Sequence, residues 1–283
     1  MEIKPLVSII IPALNSERFL PQTLRAVKKQ TYPKIEVIVM CGGSKDGTEK
    51  IALKFGAKID SRGLERSVKM NLGVKIAKGK YCYRIDDDFV LESEVVEQCV
   101  EKCEKEDLDG IAVHNTSAEN LGFWSDVRKL ERNCYRDDNL IVGVRFFSKK
   151  AFEKIGGFDE NLFGPEDYDF HNRFLAAGFK YGRIKAIERH LGEPKSLLII
   201  IKKSYLYGQE MAHYYRKYPS RARRQLNPAR SAFIRHWREL MAHPILALGL
   251  AIMWLGKFTA GGLGFLKALL TGYKKSYQNV FSH

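Results

Sequence analysis

Three consecutive carboxylates, Asp86-Asp87-Asp88, close a segment from Lys80 to Ile85 that otherwise has the composition of a buried strand. Carboxylates gathered at such a strand end suggest a divalent-cation site, and the competing reading is a solvated acidic turn. Three other polar groups stand at comparable junctions. Pro12-Ala13-Leu14-Asn15-Ser16-Glu17 follows the first apolar strand, Gly42-Gly43-Ser44-Lys45-Asp46-Gly47-Thr48 follows the second, and Gly164-Pro165-Glu166-Asp167 lies well downstream. Each also has an ordinary structural reading. Asn15 or Ser16 can serve as a helix N-cap, and Glu166 and Asp167 can complement the dipole of the helix they open.

The elements that must position these groups follow from hydrophobic periodicity. Leu6–Ile11 and Ile35–Met40 are short β-branched runs of the kind found inside a parallel sheet, and Phe19, Leu20, Leu24 and Val27 recur between them at helical spacing, which predicts a βαβ unit. A short helix over Lys50–Phe55, a strand over Ala57–Asp60 and a helix over Glu65–Lys78 follow. Gly79 stands where a left-handed cap would end that helix. Tyr81–Ile85 is then the fourth strand. Further on, Glu92–Lys105 and Leu121–Tyr135 read as helices, Gly110–His114 and Ile141–Ser148 as strands, and Glu166–Ala177 as a helix closed by Gly178. This alternation predicts a doubly wound α/β sheet, whose ligands bind at the carboxyl ends of the strands, so the loops carrying the polar groups converge on one crevice.

From Leu6 to Gly192, these motifs in this order resemble the family 2 glycosyltransferases of the GT-A fold. The resemblance implies a Rossmann-like, mixed and mostly parallel sheet flanked by helices, and inverting sugar transfer from a nucleotide-sugar donor with Mn2+ or Mg2+. Asp86, Asp87 and Asp88 match the family's D-x-D-like site. Side chains alternate along an extended backbone, so Asp86 and Asp88 face one side, one reaching the ribose or a metal-bound water while the other holds the metal, and Asp87 points away. Asp88 and Asp86 are the implied metal ligands, with His190 a candidate third. Pro12, Ala13, Asn15 and Glu17 match the loop that meets the nucleobase and ribose, and Gly42 and Gly43 the second such loop. Asp86 and Asp87 are also placed against the donor. Asp167 matches the family's general base, which must reach the acceptor hydroxyl so that its oxygen can attack the anomeric carbon opposite the leaving phosphate. Glu166 is its neighbour in the same motif, and Gly156-Gly157-Phe158-Asp159-Glu160 is a frequent companion.

The chain departs from the family in two places. Two aspartates usually precede the Gly-Ser pair after the second strand, one of them accepting a hydrogen bond from the base, and here Cys41-Gly42 stands in their place. A thiol is a weak acceptor and glycine offers only backbone, which leaves the base of the donor open. Met70 occupies the position of an expected arginine in Glu65-Arg66-Ser67-Val68-Lys69-Met70-Asn71-Leu72-Gly73, so Arg66 or Lys69 is left to supply positive charge toward phosphate. Arg173 is placed either toward the phosphates or against Asp169.

Charge separates the chain into two parts. Residues 1–194 carry 32 Lys+Arg against 31 Asp+Glu, whereas residues 195–283 carry 15 against 2, a net +13. Interleaved tyrosine, tryptophan and apolar stretches make an anionic membrane surface a better match for this tail than nucleic acid. Leu198, Ile201, Tyr205, Gly208, Ala212 and Tyr215 form an amphipathic stripe. The apolar stretch from Pro244 is interrupted by Lys257, so two shallow interfacial helices, broken near Gly261-Gly262, are expected rather than one span. Trp237, Trp254, Tyr273 and Tyr277 are expected as interface anchors. The alternative is that the apolar stretches cover the catalytic domain or a partner subunit. Five cysteines without C-x-x-C spacing, and a strand beginning directly after Met1-Glu2-Ile3-Lys4, point to reduced thiols and the cytoplasmic face of a membrane. Cys99 and Cys103, four apart on a helix, read as two core thiols.

The expected activity is transfer to a lipid-linked or other glycan acceptor at that surface. The rivals are a polyprenyl-phosphate glycosyl synthase and a non-catalytic nucleotide-sugar or membrane-binding module. A nucleotidyltransferase would open with a Gly-rich, basic loop, which Pro12–Glu17 is not.

Overall fold

Strand side chains alternate between two apolar cores, and that alternation sets the layering. In the computed structural model, which describes residues 4–271, β1 (Val7–Pro12) sends Ile9 and Ile11 into one core and Ile10 into the other. The chain continues through α1 (Leu20–Lys28), β2 (Ile35–Met40), α2 (Thr48–Lys54), β3 (Lys58–Asp60), α3 (Arg66–Ile76) and β4 (Tyr81–Arg84). In β2, Val39 and Met40 divide in the same way, as do Tyr83 and Cys82 in β4. A sheet buried on both faces in this manner needs helices on both sides. The first core takes Leu24 of α1, and the second takes Met70 and Val74 of α3.

Next come β5 (Phe89–Leu91), α4 (Val95–Glu106), β6 (Gly110–Ala112), β7 (Asn115–Ser117), α5 (Phe123–Cys134), β8 (Phe146–Ser148), α6 (Lys149–Ile155), α7 (Glu166–Ala176), β9 (Tyr181–Arg183) and β10 (Glu188–His190). The main sheet has seven strands in the order β3-β2-β1-β4-β8-β6-β9. β1 pairs in parallel with β2 and β4, β2 with β3, and β6 with β9, while β8 runs antiparallel to both neighbours. The mixed, mostly parallel GT-A-type sheet expected from the sequence is therefore present. Because β1, β2 and β4 are parallel and adjacent, their carboxyl ends lie side by side and bring the three motif loops together. β5 and β10 pair antiparallel, His190 opposite Phe89, so the acidic turn between β4 and β5 is held beside a histidine more than a hundred residues away.

Two local expectations are corrected. α3 ends at Ala77, an extended C-cap, and Gly79 is not left-handed. A Cβ on Gly79 would lie 2.7 Å from the backbone nitrogen of Ser8, and the Gly79 N–H donates to Ser8 Oγ at 2.8 Å. Close approach to β1, not a helix cap, is what requires glycine there. Neither Asn15 nor Ser16 caps α1, whose N-cap is Phe19. Their side chains are engaged elsewhere in the site.

The chain divides into two compact units, Met1–Asn115 with Gly143–Asn161 and Glu166–Gly192, and Thr116–Val142 with Leu162–Pro165 and Glu193–His283. The second unit takes in α5 as well as the tail that follows Pro194. It contains α8 (Leu197–Lys217), α9 (Pro219–Leu226), α10 (Ser231–Arg235), α11 (Trp237–Ala242) and α12 (Pro244–Thr271). Val127 of α5 packs with Ile200, Leu250 and Met253.

The expectation of two helices broken at Gly261-Gly262 is wrong: α12 is one continuous helix of 28 residues. Close packing rests on other glycines. Cβ atoms on Gly208 and Gly264 would overlap the backbone oxygens of Gly261 and Tyr205, so α8 and α12 approach nearly backbone to backbone. Lys257, the residue that argued against one apolar helix, is neutralised within the unit by Glu131, to which its Nζ donates at 2.7 Å. Trp254 is not an outward anchor either. Its Nε1 donates to Glu131 at 3.2 Å and its ring packs on Phe233 and Phe258. Trp237 is exposed as expected, and Tyr273 and Tyr277 lie outside the described residues.

Glu131 is nearly inaccessible yet charged. Burial opposes its ionisation, but Lys257 and Arg128 outweigh burial and hold its carboxyl down to about 2. A carboxylate depressed in the folded state contributes stability that is present above its unfolded value, near 4.3, and is lost as pH falls through the folded value. Glu131→Ala leaves Lys257 and Arg128 without their shared partner, so thermal or urea unfolding should report a loss of about 3–5 kcal/mol at neutral pH. That loss should shrink as pH falls from about 4 toward 2. An unchanged midpoint at neutral pH would show that the helices of this unit are held by apolar packing alone.

Candidate active site

At the end of β4 a carboxylate is surrounded by guanidinium groups. Asp86 Oδ1 accepts from Arg66 Nη2 at 2.6 Å, and Oδ2 accepts from Arg145 Nη2 at 2.6 Å, with Arg84 Nη1 at 3.8 Å. Burial would raise the Asp86 carboxyl, but Arg66, Arg84 and Arg145 hold it far below the usual carboxylate range. Arg84 is almost wholly buried on β4, with its Nε against Met70 Sδ and its Nη2 donating to Asp167 Oδ2 at 2.9 Å. Arg145 lies beside it, its carbonyl accepting the Arg84 N–H at 2.9 Å. The Arg145 side chain also donates to Glu188, which accepts from Tyr83 Oη at 2.9 Å.

The same cluster reaches the opening of α7. Arg66 Nη1 donates to Glu166 Oε1 at 3.0 Å, so Arg66 bridges Asp86 and Glu166. Glu166 is buried, its Oε2 meets no hydrogen-bond donor among the described residues, and burial pushes its carboxyl up. Asp167 keeps a side chain 30% exposed. Of the two acidic residues that open α7, Asp167 is therefore the one that solvent or an acceptor can reach.

Asp88 takes a different direction. Its Oδ2 lies 2.8 Å from His190 Nε2, and its carbonyl accepts the Leu191 N–H at 2.8 Å. The His190 ring leans on Phe89 with centroids 4.9 Å apart. A Cβ on Gly192 would overlap Asp88 Oδ2, so glycine at that position makes room for the pair. Asp87 turns back to accept from Ser16 Oγ, and its carbonyl accepts from Thr23 Oγ1 at 2.7 Å. Burial and the adjacent Asp88 push the Asp87 carboxyl up to about 7.

The two loops that precede α1 and α2 are laced together. Asn15 Oδ1 accepts the Lys45 N–H at 2.9 Å, Glu17 Oε2 accepts the Gly47 N–H at 2.9 Å, and Asp46 Oδ2 accepts the Glu17 N–H at 3.0 Å. Lys69 is buried with its Nζ on the Ala13 carbonyl at 2.7 Å, and burial lowers its pKa. It props the first loop from beneath, whereas Arg66 is bound to carboxylates. Pro12 ends β1 opposite Met40. Gly43 is left-handed with φ +79°. A Cβ on Gly42 would lie 2.7 Å from the Ser61 carbonyl and closer still to that of Gly63, so the residues after β3 fill the space that an aspartate side chain would need. Arg173 pairs with Asp169 at 2.6 Å. Asn71, from the Arg66–Gly73 segment, accepts the Phe158 N–H at 2.9 Å and donates to Glu160 Oε1 at 2.8 Å, which ties the Gly156–Glu160 turn to α3.

The structure thus brings Asp86, Glu166 and Asp167 into one ion-pair network, Arg66 joining Asp86 to Glu166 and Arg84 joining Asp86 to Asp167, and places Asp88 with His190. Arg84 heads the acidic run in the sequence, yet the sequence assigns no role to it or to Arg145. The available signal was a charged residue inside an apolar strand, Arg84 between Tyr83 and Ile85 and Arg145 between Val144 and Phe146. The donor set of Asp88 and His190, one carboxylate and one imidazole, is chemically suited to Mn2+ or Mg2+, the latter commonly taking one or two carboxylates with the remaining positions filled by water and substrate phosphate. Among the described residues no third carboxylate, imidazole or thiol joins them in a metal-binding group.

The family model described as "Glycosyl transferase family 2" matches residues 8–189. An uncharacterised glycosyltransferase of Rickettsia prowazekii is 31% identical over 199 residues, covering 62% of this chain and 61% of that protein. Chondroitin synthase of Escherichia coli is 26% identical over 204 residues, covering 62% of this chain and 28% of its own. The chain spans about three fifths of the length of the first of these relatives. Among solved structures, S. aureus TarS 1–349 in complex with UDP-GlcNAc superposes with a TM-score of 0.59 at 14% identity, covering 97% of this chain and 95% of that one. The mannosyltransferase PcManGT from Pyrobaculum calidifontis, in complex with GDP-Man and Mn2+, gives 0.58 at 15% identity, covering 96% and 77%. At these identities the likeness is one of fold.

The arrangement separates the two outer aspartates of the acidic run by role. Asp86→Asn removes the charge that three guanidinium groups share and should cost about 3–5 kcal/mol in unfolding experiments. Asp88→Asn, which retains a polar partner for His190, should change stability by less than about 1 kcal/mol. Equal effects of the two substitutions would contradict this division.

Proposed function

The chain belongs to glycosyl transferase family 2, and from that premise we propose that it moves a sugar from a nucleotide-sugar donor to an acceptor hydroxyl with inversion at the anomeric carbon. The observation that carries this reading is the placement of Asp167, partly exposed and oriented by Arg84 at 2.9 Å, in the same unit as the Asp88–His190 pair. One group is suited to take a proton and the other to bind a cation, as in-line transfer from a nucleotide diphosphate requires.

Asp167 accepts the proton of the acceptor hydroxyl as its oxygen attacks opposite the leaving diphosphate. Arg84 keeps the Asp167 carboxylate pointed, and Glu166 anchors the start of α7 through Arg66. Asp88 and His190 would hold Mn2+ or Mg2+, which when bound supplies positive charge for the diphosphate leaving group. The laced loops around Asn15, Glu17, Gly42 and Gly43 form the wall for the nucleoside. With Cys41 and Gly42 in place of the family's two aspartates, and backbone carbonyls packed against position 42, contacts to the base come from the backbone of this wall.

The acceptor is assigned to a lipid carrier at the cytoplasmic face of a membrane. In support, α12 has 28 residues and mean hydropathy 1.5 over its most apolar window, and about 42 Å of helix at ~1.5 Å per residue is long enough to cross a hydrocarbon core. Ile245, Leu248, Ile252, Leu255, Leu263 and Leu266 are exposed along it at three-, four- and eight-residue steps, an apolar stripe suited to lying in the interface.

Hydrolysis and transfer assayed over a panel of nucleotide-sugars with Mn2+ test this assignment directly. At least one donor should be turned over, chelator and Asp88→Asn should each abolish the metal-stimulated rate, and Asp167→Asn should lower turnover by about 100-fold or more with donor affinity retained. Undiminished transfer by Asp167→Asn would overturn the base assignment and point to an acceptor phosphate that needs none. Donor binding without turnover of any donor would overturn the transferase reading.

A further inference from the structure

The second unit contains a basic cavity of about 380 Å³. It lies between α9, the start of α10 and the turn that follows α5, and its lining includes Arg221, Arg224, Arg230, Arg235, Asp137 and Asp138. The charges are not balanced in pairs. Asp138 accepts the Leu140 and Ile141 N–H groups at 2.8 Å each and Arg235 Nη2 at 3.1 Å, while Asp137 pairs with His236 at 3.0 Å and Arg235 at 3.5 Å. Arg235 thus consumes both carboxylates. Arg221, Arg224 and Arg230 have no carboxylate partner among the described residues.

Two of these three guanidinium groups hold buried nitrogens with no acceptor. Arg221 donates from Nη2 to the Asn139 carbonyl at 3.5 Å, and its buried Nε has no partner. Arg230 donates from Nη2 to the Gln225 carbonyl and stacks over Trp254 with 5.7 Å to the ring centroid, yet its Nε and Nη1 are buried and unpartnered. Buried donors on charged groups are costly to leave unmet, and the planar fork of arginine matches phosphate oxygens in a bidentate manner. Gln225 fastens α9 to the turn by donating from Nε2 to the Leu140 carbonyl at 2.9 Å, so the wall that carries Arg221 and Arg224 is fixed to the wall that carries Asp137 and Asp138. Beyond Arg230 the chain exposes Ile234, Trp237, Met241 and Ile245 in succession. An anion site with exposed apolar and aromatic side chains immediately following it is suited to a ligand whose phosphate is attached to a hydrocarbon body.

We infer that this cavity binds the phosphate group of an anionic lipid, with Arg221, Arg224 and Arg230 as its donors. It is a specific headgroup site, distinct from diffuse attraction of the +13 tail to any negative surface. It rests on the reading of this unit as an interfacial element and is independent of the transferase chemistry.

The full chain should be sedimented with phosphatidylcholine vesicles, alone or doped to equal surface charge with phosphatidic acid or with oleate. The protein should bind phosphatidic acid vesicles about tenfold more tightly than oleate vesicles, as fork recognition of phosphate rather than of bare charge demands. Arg221→Gln with Arg230→Gln should abolish that preference. Arg216→Gln with Arg238→Gln, two exposed charges outside the cavity, should weaken binding to both anionic vesicles equally, by about fivefold per charge. Because Arg230 also holds Gln225, thermal unfolding of the double variant is compared with that of Arg224→Gln, whose side chain has no partner among the described residues and which should reduce the preference with an unchanged midpoint. Equal affinity for the two anionic vesicles overturns the inference while leaving the interfacial reading intact. Binding to no vesicle overturns both. Saturable binding of inorganic phosphate without any preference for phosphatidic acid overturns the assignment of a lipid source.

Discussion

Two arginines buried at the carboxyl ends of a sheet impose the constraint on which this site depends. Arg84 and Arg145 cannot be withdrawn from water without carboxylates to neutralise them, and those carboxylates come from Asp86, Asp167 and Glu188. Removing any one partner of such a network leaves a buried charge unmet, which costs far more than the network contributes in net stability. Its value to the protein is geometric. It fixes the start of α7 against the end of β4, so that a residue from the first third of the chain and one from its middle share a single oriented side-chain cluster.

The same network explains why the acidic run does not act as a unit. Asp86 is drawn toward arginines, Asp87 turns back to Ser16, and Asp88 faces His190 across the β5–β10 ladder. Three identical side chains thus sit in three electrostatic environments. Asp86 is kept strongly acidic by cations, while Asp87 is raised by burial and by its neighbour. Perturbed titratable groups cluster at functional sites, where surroundings rather than residue type set each carboxylate apart.

The second unit applies the same physics to helices. Glu131 takes Lys257, Arg128 and Trp254 as partners, and that cluster lets an apolar helix carry a lysine near its middle while packing by glycine-mediated contact on α8. One face of α12 is spent on packing against α5 and α8, through Gly249, Leu250, Met253, Ala260 and Gly264, and the other exposes its leucines and isoleucines. A helix whose apolar surface exceeds what its own unit can bury is a natural element for meeting a lipid surface.

The sequence by itself determined the order of β1 to β4 and the helices between them, the α/β class and the positions of the motif loops, because period-two and period-3.6 burial are local properties that each segment carries with it; β5, β7, β9 and β10, of three residues each, are too short to show a period. It also determined that Glu166 and Asp167 open a helix and that Asp86–Asp88 end a strand. What it could not contain was pairing between distant segments. That Arg84 meets Asp167, that Arg145 meets Asp86 and Glu188, and that Asp88 meets His190 depend on which strand ends adjoin, and side chains at those ends have no periodicity to reveal a partner. Gly79 illustrates the same limit at the backbone level. A glycine reads locally as a cap or a break, and only tertiary structure shows another chain segment lying where its Cβ would be. Local pattern decides the elements, whereas burial of charge and close approach of backbones decide which of their residues work together.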